Sequence, residues 1–207
     1  MIELYSPNML KTYELCPKKF YLKYIENISM PVNDDIFEFG KNIHALASYY
    51  LKKENIDKME KSLSHNEAEI WQYLKSCKYF SYDVINTEYS LSFKLNNVFC
   101  GGRLDALVKD KEYYYILDYK TGSAPKGAKY DYQTMVYLLA TSIMFKTDNI
   151  NFIYIDLKNK TEVKIEFNKD LKQEYIDRLN KIILEIKKND FNKKSNECNC
   201  EYNIICY

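Results

Sequence analysis

The 207-residue chain has no apolar run approaching the ~20 residues that a helix needs to cross a bilayer. Its first ten residues lack a basic segment followed by an apolar one, so no secretory signal is expected and a cytoplasmic setting is. Neither charge sign is in excess: 30 Lys and Arg against 29 Asp and Glu leave a net charge of +1. Composition alone therefore gives no argument for a nucleic-acid partner, and any basic surface has to be local. No internal repeat is present, which excludes a solenoid. No Gly-x-x-x-x-Gly-Lys-Ser/Thr loop is present either, so the chain has no nucleotide motor and cannot unwind a duplex by itself. What remains is a globular composition, 46% apolar and 29% charged, at a length suited to one domain. Six cysteines in a chain expected to stay reduced argue for metal or cluster ligation before disulfides.

The pattern along the chain is helical first. Ser6-Pro7 reads as an N-cap followed by proline at the first helical position, opening a helix to about Leu15. Cys16-Pro17 interrupts it, and a second helical piece carries Lys18 to Tyr24. Ile36 to Lys53 has an apolar stripe at Phe39, Ile43, Leu46, Ala47 and Tyr50, and Asn66 to Tyr79 is a further helix. From residue 86 the pattern changes to β-branched and aromatic residues with turn signals at Asn96-Asn97 and Lys109 to Lys111. Three antiparallel strands are expected, roughly 86–95, 98–108 and 112–120. A loop over 121–128, an apolar helix over 130–145, strands over 151–157 and 162–167 and an amphipathic helix over 168–188 follow. The expectation is an α/β chain with a mixed central sheet flanked by helices. It is read as one domain over 1–207: a helical part to residue 80, an α/β core over 81–190 and a cysteine-bearing tail over 191–207.

Residues two apart in a strand share a face, so Asp118 and Lys120 point the same way. Tyr114 and Ile116 share that face, which makes it apolar up to the strand end, where the charged pair meets a loop. Asp105 lies in the preceding strand, and a turn at 109–111 brings it near Asp118. Two carboxylates on one face repel unless a cation lies between them, and hard oxygen ligands in an open site suit Mg²⁺ or Mn²⁺. A lysine beside them can orient water or stabilise charge on a phosphate. The plain alternative is a solvated strand edge with a Lys–Asp pair, and for a bare Asp-x-Lys that is the better reading. Gly101 and Gly102 weigh against it, because they let backbone or substrate approach closely. His44 is by itself more often a packed or solvated histidine than a ligand. Gln133 and Tyr137, four apart on a helix, either divide between surface and core or both reach the phosphate or base of bound DNA.

Gly102-Arg103-Leu104-Asp105, then Leu117-Asp118-Tyr119-Lys120-Thr121-Gly122, then Gln133-x-x-x-Tyr137 resemble the RecB-like branch of the PD-(D/E)XK nucleases in order and spacing. Gly40 to His44 is similar to the helix that supplies that family's histidine ligand, and Ser6 to Tyr21 resembles the branch as well. The resemblance implies the restriction-endonuclease-like fold and a metal-dependent deoxyribonuclease. It implies that His44, Asp105, Asp118 and the Tyr119 carbonyl hold Mg²⁺ or Mn²⁺, that Lys120 is the catalytic lysine, and that Gln133 and Tyr137 organise the site. One early cysteine with three late ones, Cys16 with Cys198, Cys200 and Cys206, resembles the CRISPR-associated iron–sulfur exonucleases and the nuclease domain of AddB. Here the first late gap, Cys198-Asn199-Cys200, is one residue shorter than the family's Cys-x-x-Cys. Four thiolates suit a 4Fe-4S cluster, and zinc is the alternative. Cys77 and Cys100 read as core residues.

Basic and aromatic residues alternate around Lys18, Lys19 and Tyr21, a pattern that can hold a single strand or simply form an amphipathic helix. Lys126 and Lys129 follow the active-site loop and can touch a DNA backbone. The expected partner is DNA, single-stranded or with overhangs. A CRISPR integrase complex or a helicase is the expected protein partner, with no membrane involved. The competing function is a non-catalytic DNA-binding or scaffold subunit.

Overall fold

A computed structural model describes residues 2, 4–31, 35–192 and 200–206. Strand β1 (Leu4–Tyr5) is followed by α1 (Pro7–Leu15), whose N-cap Ser6 accepts a hydrogen bond from the Met9 amide. Helix α2 (Pro17–Phe20) runs on into a π turn over Tyr21–Ile25. Helices α3 (Asp35–Leu51), α4 (Asp57–Lys61) and α5 (His65–Ser76) come next. The capping box formed by Ser64 and Glu67 opens α5. The hairpins β2 (Asp83–Leu95), β3 (Val98–Asp110) and β4 (Tyr113–Lys120) follow as expected. Helix α6 (Tyr132–Phe145), β5 (Ile150–Asp156), β6 (Thr161–Glu166) and α7 (Lys169–Lys187) complete the described order. No described helix is long and apolar enough to cross a membrane.

The strands form one mixed sheet, ordered β1-β3-β4-β5-β6, with β2 on the other edge of β3. β4 and β5 are parallel and joined through α6, and every residue of β5 is buried, as a strand covered on both faces requires. Alternation along the strands divides the core in two. Ile116, Phe152 and Tyr154 pack under α1, α6 and α7. Leu117, Tyr119, Ile153 and Ile155 pack under α3 and α5.

Two differences from the sequence expectation bear on the site. β1 is too short to show a period, yet it pairs in parallel with Phe99 and Cys100 of β3. β4 pairs with the same edge only from Ala106 to Asp110. Residues 101–105 therefore have no strand partner on that edge, and β3 and β4 part at Ala106 and Leu117. The glycines there serve the protein's own packing. A side chain at Gly102 would place Cβ 2.9 Å from the Tyr137 hydroxyl, and one at Gly101 would meet the Leu91 carbonyl at 2.3 Å.

Candidate active site at the strand fork

One step beyond the last pair, Ala106 with Leu117, the register sets Asp105 and Asp118 across the fork from each other. The alternation that puts Ile116 under α6 carries Asp118 and Lys120 to the same side. The Asp105 carboxylate turns toward α3 and accepts the Tyr119 amide hydrogen at 2.8 Å, in place of a strand partner. The Asp118 side chain is almost fully buried, and its Oδ2 lies 2.8 Å from Lys120 Nζ. The Lys120 ammonium therefore compensates this buried oxygen at contact distance. Gln133 bridges the pair: its amide nitrogen donates to Asp118 Oδ1, and its carbonyl accepts from Lys120 Nζ at 2.8 Å. Asp131 caps α6 by accepting the Gln133 amide hydrogen, which fixes where the glutamine begins its reach.

Electrostatics follow from burial. Desolvation and the neighbouring Asp105 charge push the Asp118 carboxyl up to about 6, against the pull of Lys120 and His44. His44 is part-buried one turn after Gly40. Its Nδ1 lies 3.2 Å from Asp105 Oδ1 and its Nε2 lies 2.9 Å from the Tyr119 carbonyl oxygen. Burial works against charge on the ring, but the hydrogen bond and charge of Asp105 and the bond to Tyr119 outweigh it and raise the pKa. Two acceptors facing both ring nitrogens suit an imidazolium, or a neutral ring with a cation taking the place of one proton. His44, Glu88 and Asp105 each offer a ligand atom within 4.8 Å of one another, the one such group among the described residues. A dense set of carboxylates with one imidazole and one carbonyl fits a divalent cation.

The site opens into a cleft of about 970 Å³ lined by Gly40, Lys41, His44, Glu88, Arg103 and Lys120, among others. A second cleft, about 1010 Å³, lies between residues 50–57 and 80–87 and carries no such ligand group.

The fork thus gathers His44, Asp105, Asp118, Tyr119, Lys120 and Gln133. Tyr137 adjoins them from the buried side: it meets Gln133 and the charges of both aspartates, and its hydroxyl donates to the Arg103 carbonyl at 2.8 Å, holding the unpaired edge of β3. The lysines expected to meet DNA lie outside the cleft lining. Lys19 pairs with Glu201 at 2.9 Å, Lys18 lies over the Tyr21 ring, and Lys129 over Tyr130. Cleft-lining Lys41 and Lys52 and Arg103 are the basic groups the sequence reading passed over. The signal for the lysines was available, since 41, 44, 45, 48 and 52 fall on one helical face. Glu88 gave no such signal, standing alone in a strand. Cys16, Cys200 and Cys206 are half-buried, and Cys198 lies outside the described residues.

No curated protein matches the chain. A crystal structure from Eubacterium rectale named "Putative exonuclease" superposes with a TM-score of 0.59 at 10% identity, covering 96% of this chain and 86% of that one. The structure of SSO0001 gives 0.45 at 16% identity, covering 99% and 85%. The family model described as the PD-(D/E)XK nuclease superfamily matches residues 5–80 and 64–207. That match takes in His44, both aspartates and the lysine of the fork, and the chain belongs to the PD-(D/E)XK nuclease superfamily.

Proposed function

We propose that this nuclease is a Mg²⁺- or Mn²⁺-dependent exonuclease that hydrolyses phosphodiester bonds of single-stranded DNA or of overhangs. One observation carries the reading: a buried carboxylate, Asp118, stands beside a lysine and across a strand fork from a second carboxylate and a histidine. His44, Asp105, Asp118 and the Tyr119 carbonyl would hold the cation. When bound, it would supply Lewis-acid polarisation of the phosphate and a more acidic water.

The chain's own groups do the rest. Lys120 places a positive charge where the phosphate becomes more negative, and orients the attacking water. Gln133 keeps Lys120 and Asp118 in register by holding each through one end of its amide. Tyr137 fixes the backbone of β3 at Arg103, and so the reach of Asp105. Lys41, Lys52 and Arg103 give the cleft a basic wall for the DNA backbone. A 4Fe-4S cluster on Cys16, Cys198, Cys200 and Cys206, as in the iron–sulfur nucleases the cysteine pattern resembles, belongs to the same reading. It is supported by the return of the tail to the α2 region, where Glu201 pairs with Lys19 and the buried Tyr202 donates to the Ile28 carbonyl at 2.8 Å. A role in CRISPR spacer processing or in recombination and repair, beside an integrase or helicase, follows from the same resemblance.

The test uses linear, end-labelled single-stranded DNA alongside circular single-stranded DNA, with Mg²⁺ or Mn²⁺. The expected result is stepwise loss of the linear substrate, arrested by EDTA, with the circle intact. Cleavage of the circle would make the enzyme an endonuclease; cleavage undiminished by EDTA would remove the metal from the reading.

A further inference from the structure

We infer that Glu88 is a further carboxylate of the divalent-cation site, held there by an unusual backbone in β2. This rests on the metal-dependent reading above. The β2–β3 ladder pairs on both sides of the residue, with Thr87 opposite Ala106 and Tyr89 opposite Leu104, and its register shift lies further back, between Val84 and Asn86. The same register puts Glu88 opposite Asp105, and pairing stops at that point. Two carboxylates directly across a strand pair repel and weaken it. The backbone at Glu88 is left-handed, with φ of 50°, a conformation that a side chain with a Cβ disfavours. Sequence offers no local reason for it: no glycine or asparagine stands there, and the strand continues on either side.

Its neighbours hold the distortion in place. Thr87 is buried, and its hydroxyl meets that of Ser48 at 2.7 Å. Ser48 is four residues after His44, so one face of α3 holds the histidine and the anchor of the kinked strand. The result is a carboxylate within 4.8 Å of ligand atoms of both His44 and Asp105. Glu88 also pairs with Arg103, Nε to Oε2 at 3.0 Å, but the Arg103 side chain is 66% exposed. An exposed ion pair contributes little, and it does not account for a disfavoured backbone facing a second acid. A cation shared by Glu88, Asp105 and His44 accounts for both, because it turns the acid pair from repulsive to attractive.

Mn²⁺ binding, followed by the loss of the free-ion resonance in electron paramagnetic spectra, separates the alternatives. The expected result is that wild type binds Mn²⁺, that Glu88→Gln raises Kd about tenfold or more, and that Arg103→Gln leaves Kd unchanged or lower. Glu88→Gly, which takes the left-handed backbone without strain, keeps the fold secure and is expected to bind as weakly as Glu88→Gln. Wild-type affinity in both Glu88 variants would overturn the inference and leave Glu88 as the partner of Arg103. A wild type that binds no Mn²⁺ would instead overturn the metal-dependent reading on which it rests.

Discussion

A carboxylate buried to the extent of Asp118 is costly as an anion unless charge is brought to it. In the metal-free protein Asp118 titrates near 6, against an ordinary 3.8, so the folded state binds its proton more tightly than the unfolded chain. The stability it contributes is full below about pH 4 and is lost as pH rises through about 6. The loss is on the order of 3 kcal/mol. Thermal melts in EDTA between pH 4 and 7 should fall with rising pH in wild type and fall less in Asp118→Asn; parallel curves would mean that Asp118 is solvated or already paired. Mn²⁺ at pH 7 should restore the wild-type melting temperature and do little for the variant. The Asp118–Lys120 pairing was legible in the sequence, because strand parity alone puts residues two apart on one side. The partner residues were not. Gln133 stands out only through its family spacing, and Glu88 depends on a φ angle that neighbouring residue types do not announce.

At the scale of elements, the fork between β3 and β4 is what makes the site. Hairpin chemistry at Asn96-Asn97 and around Lys111 sets which strands pair, and both turns were readable in advance. Where pairing stops was not readable, because it depends on β1 taking up the same edge at Phe99 and Cys100, and on Tyr137 reaching Arg103 between them. That close approach depends on Gly102. Gly102→Ala sets a methyl 2.9 Å from the Tyr137 hydroxyl and should cost about 1–3 kcal/mol. Cleavage should fall with it, since Asp105 shifts as the edge moves. A melting temperature within 1–2 °C of wild type, roughly the resolution of a few tenths of a kcal/mol at this size, would mean that the edge has slack.

At the scale of the molecule, helices on both faces and one mixed sheet were legible from the order of periodic segments. The least legible part is how the ends are tied. Phe191 packs against Tyr13, Phe20 and Tyr21, and residues 200–206 return to the α2 region through Glu201 and Tyr202. The proposed cluster would make that tie covalent. Protein purified without oxygen should show broad absorbance in the near-visible that Cys198→Ala abolishes, with a fall in melting temperature. Colourless protein carrying stoichiometric zinc would place zinc on the same thiolates.

Chemistry at the fork is tested most directly by the rate of single-stranded DNA cleavage at saturating Mg²⁺, measured for wild type, Asp105→Ala, Asp118→Ala and Lys120→Ala after each variant is shown to be folded. The predicted result is a fall of about a hundredfold or more in each variant, the scale on which a group acting on the transition state is felt. A folded Asp118→Ala or Lys120→Ala protein cleaving at the wild-type rate would contradict it.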